Sequence, residues 1–74
     1  MLIRTLRKRR LMTLEQLAAK SGVGRVVLNR YELGTHKPDV YNAIRIARAL
    51  DVTVEDLVSD EDIRGGDHHA GEDH

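Results

Sequence analysis

Apolar residues recur along this chain at three- and four-residue intervals, and polar clusters, glycines and a single proline divide the recurrence into five pieces. Ile3 and Leu6 stand at i, i+3 with an arginine between them, which predicts a first helix over residues 2–10, linked onward by Leu11 and Met12. Thr13 with Gln16 three residues on reads as a capping box: the hydroxyl oxygen accepts from an orphan amide of the first turn, and the glutamine side chain reaches back. Leu14, Leu17 and Ala18 continue at helical spacing and predict a second helix over residues 14–20. Ser21 and Gly22 end it, because glycine takes the positive φ of a left-handed cap without strain, and Val23 returns the chain to the core. From Arg25 onward Leu28 and Tyr31 repeat at i, i+3 and face inward on a third helix that Gly34 closes. Val27 is expected to pack partly against the second helix, which leaves Arg25, Val26, Asn29 and Arg30 pointing outward.

Pro38 disfavours helix at Lys37, and Asp39 is placed to cap a fourth helix over residues 40–50 with the apolar stripe Val40, Ala43, Ile46, Ala47 and Leu50. Asp51 follows, a residue that tolerates left-handed geometry at some cost. Thr53 with Asp56 starts a short fifth helix containing Leu57 and Val58. The pattern predicts an all-α fold, a compact bundle of five short helices in residues 1–59, with no internal repeat. Beyond Ser59 the chain turns acidic and rich in glycine and histidine, with Ile63 its one large apolar side chain. Residues 60–74 are therefore predicted to form a flexible C-terminal tail, since they cannot bury enough surface to offset their ordering entropy.

Charge sharpens this picture. The formal net charge of the 74 residues is zero, yet residues 1–37 hold nine lysines and arginines against two carboxylates, +7, and residues 38–74 hold three against ten, −7. The positive half contains the second and third helices, a pair joined by a glycine turn of about three residues with a basic second member. That is the shape of a helix-turn-helix reader of duplex DNA. The absence of cysteine excludes a disulfide framework and a thiol site. Two tyrosines are the only aromatics, too few to form stacking platforms for single-stranded nucleic acid. No apolar run approaches membrane-spanning length and no signal-like segment precedes the domain, so a soluble, cytoplasmic protein without membrane association is expected. No nucleophile stands beside a partnered base, and a core of about 60 residues leaves little room for a pocket, so no enzyme activity is expected.

Leu6, Arg7, Arg10, Thr13 to Ala18, Gly22, Val23, Leu28, Tyr31, Glu32, Gly34, Pro38 and Ala47 to Leu50 together resemble the lambda-repressor-like family, the phage repressor and Cro type of helix-turn-helix, over residues 2–59. The resemblance implies base contacts from Arg25, Val26, Asn29 and Arg30; arginine can fork onto guanine, asparagine onto adenine, and valine can touch a thymine methyl. It implies phosphate contacts from Arg7, Arg10, Thr13, Gly24, Thr35, Lys37 and Tyr41, which position a domain without reading sequence. It further implies a structural pair of Arg7 with Glu32, and a homodimer contact through Ile44, Val54 and Val58 near the fifth helix. His36 is read as a solvent-exposed loop histidine. Three positions depart from the family pattern: Leu14 stands where a phosphate-binding glutamine is usual, Gly24 where a serine or threonine caps the third helix, and Asp51 where glycine is usual. Leu14 leaves only helix N-terminal amides as phosphate donors at that place, and Gly24 weakens the cap by a few tenths of a kcal/mol.

The expected function is sequence-specific binding of a double-stranded DNA operator by a dimeric transcriptional repressor that needs no cofactor and no metal. One alternative is an antitoxin-type or bridging module in which the acidic tail or the fifth helix grips a protein partner and DNA binding is secondary. Another is a metal-responsive regulator using His68, His69 and His74 with Asp67 and Asp73, although their spacing fits no closed structural site.

Overall fold

The structure, a computed structural model, describes residues 1–58 together with Asp62. Five helices follow one another: α1 Ile3–Arg9, α2 Leu14–Ser21, α3 Arg25–Leu33, α4 Val40–Leu50 and α5 Val54–Leu57, with no strand among the described residues. Each boundary has a local cause. Both capping boxes form, Thr13 with Gln16 at α2 and Thr53 with Asp56 at α5, and Asp39 caps α4 by accepting from the Asn42 amide. Val58 lies just beyond α5, as its C-cap rather than inside it.

The C-termini of α1, α3 and α4 share one device. In each, a residue in left-handed geometry lets the amides of two successive residues return to carbonyls of the last turn, which satisfies acceptors a helix end would otherwise orphan. After α3 the residue is Gly34, with Thr35 N donating to Arg30 O and Gly34 N to Tyr31 O. After α4 it is Asp51 at φ 57°, with Val52 N donating to Ala47 O. After α1 it is Leu11 at φ 56°, with Met12 N donating to Arg7 O and Leu11 N to Lys8 O. A leucine there is unfavourable twice over, because its Cβ crowds the backbone and its side chain stands 90% exposed.

The core gathers one or two large side chains from every helix: Ile3, Leu17, Leu28, Ile46, Leu50 and Leu57 are fully buried. Helix α4 is the hub, packing against α1, α2 and α5, while α2 packs against α3. The stripe expected on α4 needs one correction. Val40, placed in that stripe, is 62% exposed, whereas Ala49 is buried, so the inward face begins one turn later and is broader. Val40 occupies the first turn, ahead of the place where the other helices close around α4. The amide of Leu2 donates to the Leu57 carbonyl at 2.8 Å and ties the start of the chain to α5.

The predicted tail, residues 60–74, falls outside the described residues except at Asp62. There the carboxylate lies 3.1 Å from the Met1 amino group and 3.8 Å from Lys37 Nζ. The histidine and aspartate group expected at residues 67–74 lies outside the described residues. No helix among the described residues is long and apolar enough to cross a membrane.

Candidate nucleic-acid interface

The turn between α2 and α3 is built by a buried serine. Ser21 Oγ accepts from the Val23 amide at 3.1 Å and lies 3.5 Å from the Ala18 carbonyl, while Gly22 takes φ 77° as the left-handed cap. Val23 then drops into the core and Gly24 opens α3 in extended geometry, with no side-chain cap, where a Cβ would make an ordinary van der Waals contact with Val27 Cγ2 at 4.0 Å. With Leu28 and Tyr31 buried against the core and Val27 half-buried against it, the opposite face of α3 consists of Arg25, Val26, Asn29, Arg30 and Leu33, all exposed. The four residues read from the sequence as base contacts thus share one surface.

Leu33 is a fifth member of that face that the sequence reading missed. Its signal was present, because it stands seven residues after Val26 and four after Asn29, on the same side of a 3.6-residue helix. Glu15 was missed as well. In the second position of α2, it accepts from Arg25 Nε through Oε2 at 2.8 Å, with the two side chains 64% and 61% exposed. Its carboxyl is held below the ordinary carboxylate range, first by its own backbone amide in the opening turn of α2 and then by Arg25.

Thr13 caps α2, its hydroxyl oxygen accepting from the Gln16 amide at 3.0 Å. After α3, the Thr35 hydroxyl donates to the Arg30 carbonyl at 3.2 Å and lies 3.2 Å from His36 Nδ1, while Lys37 and Tyr41 stand exposed. In the chain, Gly24 directly precedes α3, Thr35 and Lys37 follow it, Thr13 caps α2 and Tyr41 lies in the first turn of α4.

The two arginines of α1 and its cap, Arg7 and Arg10, make intramolecular contacts. Arg10 turns toward the Asp51 carbonyl, 3.4 Å away, and lines an open groove with Leu11, Lys20 and Arg48. Asp51 closes α4 at the end opposite Tyr41, about 15 Å along the helix at 1.5 Å per residue. Arg10 is exposed, and its one side-chain hydrogen bond among the described residues is to the Asp51 carbonyl. Arg7 is only 13% exposed and spends its guanidinium on the interior: Nε and Nη2 donate to Glu32 at 2.7 and 3.1 Å, and Nη1 donates to the Met12 carbonyl at 2.8 Å. Glu32, 6% exposed, thus joins α3 to α1 and to the α1–α2 link. The hydrogen bonds to Glu32 raise the Arg7 pKa against the opposing effect of burial, so the guanidinium stays charged. Asn42 Nδ2 donates to the Tyr31 hydroxyl at 3.0 Å and fixes α3 to α4. The last turn of α3 is thereby pinned from behind by polar groups, to α1 through Glu32 and to α4 through Tyr31.

Ile44, Val54 and Val58, expected at a dimer contact, are half-buried, and Val54 packs against the core. No cluster of three or more histidine, cysteine, aspartate or glutamate side chains that could hold a metal occurs among the described residues.

The comparisons with known proteins agree with this geometry. A family model described as helix-turn-helix matches residues 3–57. The chain is 36% identical over 55 residues to YqaE of Bacillus subtilis strain 168, named as an uncharacterized HTH-type transcriptional regulator; the match covers 74% of this chain and 47% of that protein. The chain thus spans about half the length of the curated relative it matches. No solved structure shows a significant match. From the α2–turn–α3 unit, its place in a five-helix bundle and the family match over residues 3–57, the chain belongs to the lambda-repressor-like helix-turn-helix family of DNA-binding domains.

Proposed function

We propose that this chain reads double-stranded DNA in a sequence-specific manner with the exposed face of α3, and that it acts as a cytoplasmic transcriptional repressor binding its operator as a homodimer. The observation that carries the reading is the face itself. Arg25, Val26, Asn29 and Arg30 form a solvent-facing surface on a helix whose opposite side is sealed into the core. Arginine and asparagine are the side chains whose paired donors and acceptors match purine edges in the major groove. The +7 charge of residues 1–37 supplies the sequence-independent attraction to phosphate. Thr13, Gly24, Thr35, Lys37 and Tyr41 act as backbone anchors around the groove, and the Arg7–Glu32 pair acts as a brace. Residues 1–59 constitute the binding unit and need neither cofactor nor metal. Two-fold pairing through the region of Ile44, Val54 and Val58 would present two copies of α3 to successive major grooves.

Selection from random duplex DNA followed by sequencing tests this directly. An enriched palindromic motif is expected, with half-sites about 10 base pairs apart or a multiple of that, and with affinity falling steeply as salt rises. Absence of enrichment, or affinity flat in salt, contradicts it. Two substitutions separate reading from positioning. Arg25→Ala relaxes preference at one base position at a cost of about 1 to 3 kcal/mol, whereas Lys37→Ala weakens all duplexes alike. A reporter gene placed behind the selected site distinguishes repression from activation.

A further inference from the structure

An ion pair between two side chains that are each more than 60% exposed contributes little to stability, since water screens it and both chains lose rotamer freedom. The Glu15–Arg25 pair therefore has little value as a strut for the fold. Its position suggests another use. Arg25 is the first residue of α3 and lies on the face that approaches DNA, and Glu15 reaches it from the opening turn of α2. A carboxylate at such a place repels phosphate unless something offsets it.

We infer that Glu15 is a positioning residue that sets how Arg25 reads a base pair. The inference rests on the DNA-reading proposal above. The guanidinium carries five N–H donors, one on Nε and two on each terminal nitrogen. With Nε committed to Glu15 at 2.8 Å, the side chain presents its two terminal nitrogens, the pair that can fork onto guanine O6 and N7. The side-on approach through Nε is closed. The same carboxylate discourages Arg25 from settling on the phosphate backbone, where a free arginine would add to binding at any sequence. Glu15 thus moves the contribution of Arg25 from affinity at large to discrimination at one position. Two features favour this. The carboxyl is held ionised by its own helix amide as well as by Arg25, and Glu15 takes no part in the capping box of α2, which Thr13 and Gln16 complete. Leu14, the residue before it, is half-buried and packs on the core, so it offers α3 no polar partner.

The test repeats the duplex selection with the unaltered chain, Glu15→Ala, Glu15→Gln and Arg25→Ala, with helix content checked for each. The unaltered chain should show one position per half-site with a strong preference for guanine, which Arg25→Ala abolishes. Glu15→Ala should lower preference at that position alone by about tenfold, the share of one well-oriented fork, and raise affinity for a scrambled duplex. Glu15→Gln keeps an acceptor for Nε without the charge; it should retain most of the guanine preference while still binding the scrambled duplex more tightly. Combining Glu15→Ala with Arg25→Ala should change that position no further than Arg25→Ala does. An unchanged motif in Glu15→Ala overturns the inference, and so does loss of preference at a different base pair, which would make Glu15 a direct contact. If the unaltered chain enriches no motif, the DNA-reading proposal itself falls.

Discussion

Leu11 occupies backbone geometry that an L side chain adopts only under strain, and it does so because the cap of α1 requires a left-handed residue between Arg10 and Met12. Glycine meets that requirement without a Cβ, and the 90% exposed side chain takes no part in the core. Leu11→Gly is therefore expected to stabilise the domain by about 1 kcal/mol, which for a domain of this size raises Tm by about 5 °C. A drop in Tm would mean that the leucine makes a stabilising contact. Glu32 presents the opposite case. Its carboxylate is 6% exposed and holds Arg7 through two hydrogen bonds, so Glu32→Ala leaves a guanidinium with little access to water and without its counter-charge. The expected loss is about 3 kcal/mol in chemical denaturation. Replacing both partners, Arg7→Met with Glu32→Leu, should cost less than Glu32→Ala alone, because neither buried charge is then left unpaired.

At the level of elements, Thr13→Ala should cost about 1 kcal/mol, since Thr13 accepts from the Gln16 amide and anchors the helix that positions the turn. A thermal melt reads that loss, and no change would mean that water serves the α2 amides equally well. The same capping logic makes the secondary structure legible in the sequence. Thr13, Gly22, Gly34, Asp39 and Thr53 each stand where a helix starts or stops, and the inward spacing of Leu28 with Tyr31 located the exposed face of α3. Direction in space was less legible. Arg10 shares the basic character of its neighbours, and its 3.4 Å approach to the Asp51 carbonyl, 41 residues away, is not encoded by spacing within α1. Val40 has the spacing of a core residue but lies ahead of the packed part of α4. Glu15 and Arg25 are ten residues apart, and their 2.8 Å contact depends on the angle between two helices, which periodicity within either one does not encode.

Across the whole molecule, two opposed charges of seven units divide the sequence, and the helix-turn-helix lies in the positive half. The surplus of positive charge in the half that carries the helix-turn-helix favours approach to a polyanion. The acidic half approaches the basic one at Asp62, whose carboxylate lies 3.8 Å from Lys37 Nζ, so this lysine meets a competing anion within its own chain. The central claim is that the exposed face of α3 is the surface that meets duplex DNA. Titrating the selected duplex into isotopically labelled protein and following backbone amide shifts by NMR tests it most directly. The account predicts that the largest shifts fall on Gly24, on α3, on residues 34–37 and on the first turn of α2, while the groove lined by Arg10, Leu11 and Arg48 stays unchanged. Shifts centred on that groove, or equal shifts with a scrambled duplex, would contradict it.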